Sequence, residues 1–227
     1  MTFELVNHKV LRAPVGPGAE VIARRGAMLA YHGDVRFVPA TIGGAFGPGG
    51  PAGGRPGLMG MAGRAMAGES TALMAATGRG DVFYGHAGSY VTIIQLDGRG
   101  ELSVEADRLL AYPATMQTAV VFLGAQGGVR GAVRGAMTGQ GLFTTAVSGA
   151  GPVAVLSHGG TLALPVGGGR VVTVDPQAYV GHVGALTVTA AVAVGWRDAV
   201  GRGSGEATQL KVSGESTVYV QASEQKL

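Results

Sequence analysis

Apolar and polar residues alternate with a period of two along most of the chain, the pattern of strands with one buried face. "YVTIIQLDGRGELSVEA", Tyr90 to Ala106, alternates on both sides of Asp97-Gly98-Arg99-Gly100. Asp-Gly accepts the positive φ of a tight turn, so this stretch predicts a β-hairpin. "VAVLSHGGTLALPVGGGRVVTVDP", Val153 to Pro176, repeats the scheme with His158-Gly159-Gly160 and Gly167-Gly168-Gly169 as turns. "ALTVTAAVAVGW", Ala185 to Trp196, predicts one uninterrupted strand, and the N-terminal "MTFELVNHKVLRAP" alternates as well. Strands this dense imply sandwich or barrel packing. A helical period occurs only in "GLMGMAGRAMAG", Gly57 to Gly68, and "GGVRGAVRGAM", Gly127 to Met137.

The pattern also recurs at long range. "MAGESTALMAATGRGDV", Met66 to Val82, returns as "MTGQGLFTTAVSGAGPV", Met137 to Val153, with Met, Gly, Ala, Gly, Gly and Val at the same offsets. A third version, "GSGEATQLKVSGESTVYV", Gly203 to Val220, aligns Gly214, Ser216 and Val218 with Gly149, Gly151 and Val153, and with Gly78, Gly80 and Val82. A second marker, Ala-Tyr, ends at Tyr31, Tyr112 and Tyr179, upstream of each Gly element. The first copy is longer because it carries "TIGGAFGPGGPAGGRP", Thr41 to Pro56, a Gly/Pro insertion that suits a surface loop. Repetition at this period predicts repeated supersecondary units sharing a core, against the simpler reading of chance similarity in a Gly-rich chain. The expected organisation is one compact domain, residues 1–227, with repeats at about 1–88, 89–158 and 159–227.

Composition narrows the class. Of 227 residues 42 are Gly, and only 14% are charged, which favours strands and turns over helices. The net charge of +3 is spread thinly, with no longer basic run than Arg24-Arg25, so a mildly basic surface explains it better than a nucleic-acid face. The absence of cysteine excludes disulfides, thiolate nucleophiles and Cys-type zinc sites, and fits a reducing compartment. The N-terminus reads as a strand rather than a signal peptide, and no apolar run approaches the roughly 20 residues of a membrane helix. A cytoplasmic location is expected.

"GLMGMAGRAMAGES" followed by "GQGLF" resembles the bacterial branch of the altered-inheritance-of-mitochondria protein 24 family. That family's Gly-Glu-Ser-Leu-Phe and Gly-Glu-Gly-Leu-Phe motifs stand here as Gly68-Glu69-Ser70-Thr71-Ala72 and Gly139-Gln140-Gly141-Leu142-Phe143. Phe is lost from the first and Glu from the second, and a Val-Asp-x-Gly-His pattern is reduced to Val174-Asp175-Pro176-Gln177-Ala178. The resemblance covers nearly the whole chain. It implies three tandem β-sandwich units, each like a subunit of the tryptophan RNA-binding attenuation protein (TRAP-like), around a pseudo-threefold axis. It implies no chemistry, because a shared fold does not carry function.

Candidate chemistry is sparse. His8, His32, His86, His158 and His182 form no His-x-His or His-x-x-x-His pair, and surface or satisfied core histidines explain them better than metal ligands. No Gly-x-Ser-x-Gly elbow is present, and Ser157 and His158, adjacent on a strand, point to opposite faces. Glu101 and Glu105 share one face of a strand and read as exposed carboxylates. The Gly-rich runs lack the Gly-Lys-Ser/Thr ending of a phosphate loop, and "RGD" at Arg79 to Asp81 lies inside the repeated element. Two constellations remain. Arg64, Arg134 and Arg202 stand near the same point of each copy and form a candidate anion-binding ring, against the bland reading of three solvated arginines. Leu58, Met59, Met61 and Met66 form a soft apolar set suited to an interaction surface, or to closing the protein's own core.

These readings predict a non-catalytic scaffold or interaction protein without cofactor or metal. Its partner is an unidentified protein or a second copy of itself. A weak binder of RNA or another polyanion is the alternative, and an enzyme with an unrecognised site the third. Aromatic residues are only 6% of the chain, which tells against base stacking.

Overall fold

The computed structural model describes residues 1–40, 73–122, 143–192 and 208–224. The Gly/Pro insertion 41–56, the apolar set Leu58, Met59, Met61 and Met66, both segments of helical period, and Arg64, Arg134 and Arg202 lie outside the described residues.

The described residues are all-β. In chain order the strands are β1 (Glu4–Asn7), β2 (Val10–Val15), β3 (Val21–Arg24), β4 (Met28–Ala40), β5 (Leu73–Tyr84) and β6 (Tyr90–Glu105). A 3-10 turn, Ala106–Arg108, leads to β7 (Leu109–Pro113), β8 (Gln117–Phe122) and β9 (Phe143–Ser157). The remainder is β10 (Thr161–Val166), β11 (Val172–Val174), β12 (Tyr179–Val192) and β13 (Thr208–Gln221). Antiparallel hydrogen bonding links all of them into one sheet.

Three long strands organise this sheet, and each is paired in the same way. Along one edge of β5 run β2, opposite Gly80 to Tyr84, and then β3, opposite Leu73 to Ala76. Along β9 run the first half of β6, opposite Ala150 to Ser157, and its second half, opposite Thr144 to Ser148. Along β13 run β10, opposite Ser216 to Gln221, and β11, opposite Leu210 to Val212. The switch between the two partner segments falls at Gly78, Gly149 and Gly214, with φ of 106°, 122° and 127°. The recurring glycine read from sequence is thus required by backbone geometry, because an L side chain rarely adopts this φ. Val82, Val153 and Val218, four residues on, are each fully buried.

The predicted hairpin at Asp97 to Gly100 does not form. Both halves of β6 pair with β9, and Asp97 to Glu101 is a bulge within one continuous strand. Asp97 Oδ1 accepts the Arg99 amide at 2.9 Å and Gly98 takes φ 86°, so the local turn chemistry is satisfied without reversing the chain. Gly168 and Gly169, with φ of 60° and 80°, do make a turn, but β10 and β11 on either side also share one partner, β13.

The other edge of each long strand shows a second recurrence. Met28 and Ala30 face Tyr84 and Phe83, Leu109 and Ala111 face Val155 and Ala154, and Tyr179 and Gly181 face Val220 and Tyr219. Each pairing skips one residue, so Leu29, Leu110 and Val180 occupy the same bulge. Tyr31 and Tyr112 then stand at one position, whereas Tyr179 falls three residues early and His182 takes its place. The third Ala-Tyr marker is therefore out of register.

Two seams join these groups. Strand β3 pairs with β7 (Val21↔Pro113, Ile22↔Tyr112, Ala23↔Ala111), and β6 with β12 (Leu102↔Val183, Ser103↔His182, Val104↔Gly181). In both, the residue after the bulge meets the middle of the preceding group's second segment. The buried apolar residues follow the seams. One cluster contains Leu11, Val15, Val21 and Val82 with Leu110 and Ala154 from across the first seam. A second contains Leu102, Val104, Val147 and Val153 with Val180 from across the second, and Val183 and Tyr219 pack against it. A third, Val166, Val174, Tyr179, Leu186, Leu210, Val212 and Val218, draws on β10 to β13 alone.

Candidate functional site

The buried titratable groups that the fold brings together lie at the second seam. β6 ends on Glu105, the 3-10 turn carries Arg108, and Gln221 closes β13. Arg108 Nε donates to Glu105 Oε2 at 2.6 Å, and its Nη1 donates to Gln221 Oε1 at 2.6 Å. The same Gln221 oxygen accepts the His158 amide at 2.9 Å. Nearby, Tyr179 Oη and His182 Nδ1 are 2.7 Å apart, and Ser103 Oγ donates to Thr144 Oγ1 at 2.7 Å. Burial pushes the Tyr179 hydroxyl well above its ordinary range, with Glu105 adding to the effect. Burial alone pulls His182 down to about 4, so the imidazole is neutral, and its Nδ1 shares one hydrogen bond with the tyrosine hydroxyl.

This cluster fastens the second seam. Arg108, Tyr179 and His182 are all buried. A buried, paired arginine fixes register across a seam, because misplacing it strands a charge in the interior. Glu105, expected to be an exposed carboxylate beside Glu101, is here the buried partner of Arg108, while Glu101 faces solvent. Sequence reasoning missed this site because Arg108 and Gln221 are 113 residues apart. Gly181-His182, four residues beyond Gln177-Ala178, is a Gly-His pair that the sequence reading passed over.

The remaining sequence candidates are dispersed. His32 Nε2 lies 3.2 Å from Asp81, which also binds Arg12, so the Arg-Gly-Asp tripeptide is engaged within the sheet. His8 stacks on Tyr90, and Ser157 is buried with no partner for its hydroxyl. Among the described residues no group of three His, Cys, Asp or Glu side chains is placed to hold a metal. Among them also, no helix is long and apolar enough to cross a membrane.

The exposed feature of note is a strand edge. Met28, Leu29 and Tyr31, on β4, are 41%, 56% and 49% exposed. Their counterparts beside the bulge are buried at both seams: Leu109, Leu110 and Tyr112 at 1%, 0% and 3%, and Tyr179, Val180 and His182 at 1%, 0% and 4%. Apolar surface of this kind on an unpaired edge is normally protected by charge, proline or a covering element. Here it is bare.

A comparison with family profiles matches residues 3–223 to the family described as "Mitochondrial biogenesis AIM24". The chain belongs to that family. No curated protein matches it. Among solved structures, this AIM24-family chain is similar to the crystal structure of protein SPYM3_0169 from Streptococcus pyogenes, with a TM-score of 0.65 and 16% identity over 98% of this chain and 92% of that one. At that identity the likeness speaks for the fold.

Proposed function

We propose that the chain is a non-catalytic interaction scaffold built from three tandem TRAP-like units, at about 1–88, 89–158 and 159–227, and that it works in the cytoplasm. The recurrent glycine switch, the recurrent bulge and the two seams of equal register support the tandem organisation. A pseudo-threefold ring has a third seam, between β11 and β4, and the described residues contain no such pairing.

The observation that carries the scaffold reading is the β4 edge, unpaired among the described residues, where the exposed Met28, Leu29 and Tyr31 occupy positions that are buried at both seams. Uncovered apolar surface bordered by polar residues marks a docking site. The test is Leu29→Lys in the chain expressed in its own cell, with particle size in soluble extract measured by sedimentation. The reading expects wild type in a particle larger than one chain and the variant released from it with an unchanged melting temperature. Wild type sedimenting as a single chain in the extract contradicts it.

A further inference from the structure

The two ends of the three-unit run are complementary to each other. At the first seam β3 lies between β5 and β7, and at the second the end of β6 lies between β9 and β12. The third strand of this kind, β11, pairs among the described residues with β13 alone. Conversely, β7 and β12 each have a strand on both sides, whereas among the described residues β4 pairs with β5 alone. Among the described residues the run therefore begins with an unpaired acceptor edge and ends with an unpaired donor edge. Exposure agrees. Ile22 and Ser103, at the middle of their seams, are buried at 5% and 6%, while Thr173, at the same place on β11, is exposed. Val171, which precedes β11, is 58% exposed.

The cores tell the same story. At the first seam the incoming group gives its bulge residue, Leu110, to the preceding cluster, and at the second seam it gives Val180. The third cluster receives no such residue, and the remaining bulge residue, Leu29, has no cluster to enter.

We infer that β4 of one copy pairs with β11 of a second copy, repeating the internal seam so that Leu29 enters the third core of its neighbour. This deepens the scaffold reading and rests on it. The register copied from the two seams sets His32 opposite Val172, Tyr31 opposite Thr173, and Ala30 opposite Val174. The interface is head-to-tail, so each copy keeps one free edge until a ring closes or a filament grows. The edge segment Met28-Leu29-Ala30-Tyr31 holds no charge, proline or glycine, so nothing in it opposes strand addition.

The test uses the purified full chain and two exposed-position variants. Leu29→Lys disables the β4 edge and Thr173→Arg disables the β11 edge, and both keep the wild-type melting temperature. In sedimentation velocity, wild type is expected to associate as concentration rises. Each variant alone is expected to remain a single chain. Their equimolar mixture is expected to form a two-chain species that grows no further, since one live edge of each kind remains. Wild type that stays a single chain at every concentration overturns the inference. So does Thr173→Arg associating like wild type, which indicates β4 pairing with β4. If purified wild type is a single chain while extract holds it in a Leu29-dependent particle, the second-copy inference fails and the scaffold reading stands.

Discussion

Replacing Gly78, Gly149 and Gly214 by Ala, one at a time, separates two physical demands that sequence alone merges. All three have φ beyond +100°, so each alanine variant incurs the backbone strain of a sparsely populated region, about 1–3 kcal/mol. Space around them differs. A Cβ on Gly78 would meet the Asp34 carbonyl oxygen at 2.1 Å, and one on Gly214 the Ala185 carbonyl oxygen at 2.4 Å. Both are ladder atoms of the paired strand, so backbone must shift. A Cβ on Gly149 meets only Met116, at 3.5 Å, which is ordinary contact. Overpacking that moves backbone adds about 1–3 kcal/mol. The expected losses are therefore about 2 kcal/mol for Gly149→Ala and about 4 kcal/mol for Gly78→Ala and Gly214→Ala. For a chain of this size about 1 kcal/mol shifts the melting temperature by roughly 2–4 °C. Scanning calorimetry should thus place Gly149→Ala roughly 4–8 °C below wild type and the other two roughly 8–16 °C below. Equal losses at all three sites, or the greatest loss at Gly149, would refute the close backbone approach.

The other predictions concern the buried cluster and the arginines. His182 is at about 4 in the folded chain against about 6.5 unfolded, so the unfolded state binds the proton first as pH falls. Its contribution is complete above pH 6.5, declines between 6.5 and 4, and amounts to about 3 kcal/mol, and His182→Gln should remove that part of the pH dependence of denaturant unfolding. Glu105→Ala strands the buried Arg108 charge and should cost about 3–5 kcal/mol, most of which Glu105→Leu with Arg108→Met should recover in the same assay. The Arg64, Arg134 and Arg202 trio should bind labelled single-stranded RNA no tighter than the micromolar range, with affinity falling steeply with salt. Nanomolar, sequence-selective binding abolished by a triple alanine variant would make the polyanion reading the leading one.

What was legible in the sequence follows from what each residue must do locally. The frame around Gly78, Gly149 and Gly214 was visible because positive φ leaves few substitutes for glycine. Strand alternation was visible for the same local reason, but alternation does not name the partner strand. Asp97-Gly98 was therefore read as a reversal, although β6 continues along β9 across a bulge. The third Ala-Tyr marker misled because the position before the bulge holds Met28, Leu109 or Tyr179, so the tyrosine of the third copy is not the one that Tyr31 and Tyr112 place beyond the bulge. Arg108 gave no signal in the sequence, because one of its partners, Gln221, lies on β13 at the far end of the chain. The open edge was invisible, since Leu29 carries the same apolar signal as the buried Leu110 and only the missing neighbour distinguishes them.

Because the chain has no cysteine, a disulfide can be placed wherever the account says two strands meet. Tyr31→Cys and Thr173→Cys, each made as a single variant, put one thiol on each free edge at positions that the copied register sets opposite. A directly opposed pair falls within the 4.4–6.8 Å Cα separation that a disulfide tolerates, whereas an offset pair does not. Mixed and mildly oxidised, the two variants should give a covalent two-chain product on a non-reducing gel. Asp34→Cys mixed with Thr173→Cys, three residues out of register, should give little. Equal cross-linking in both mixtures, or none with Tyr31→Cys, would contradict the continued seam.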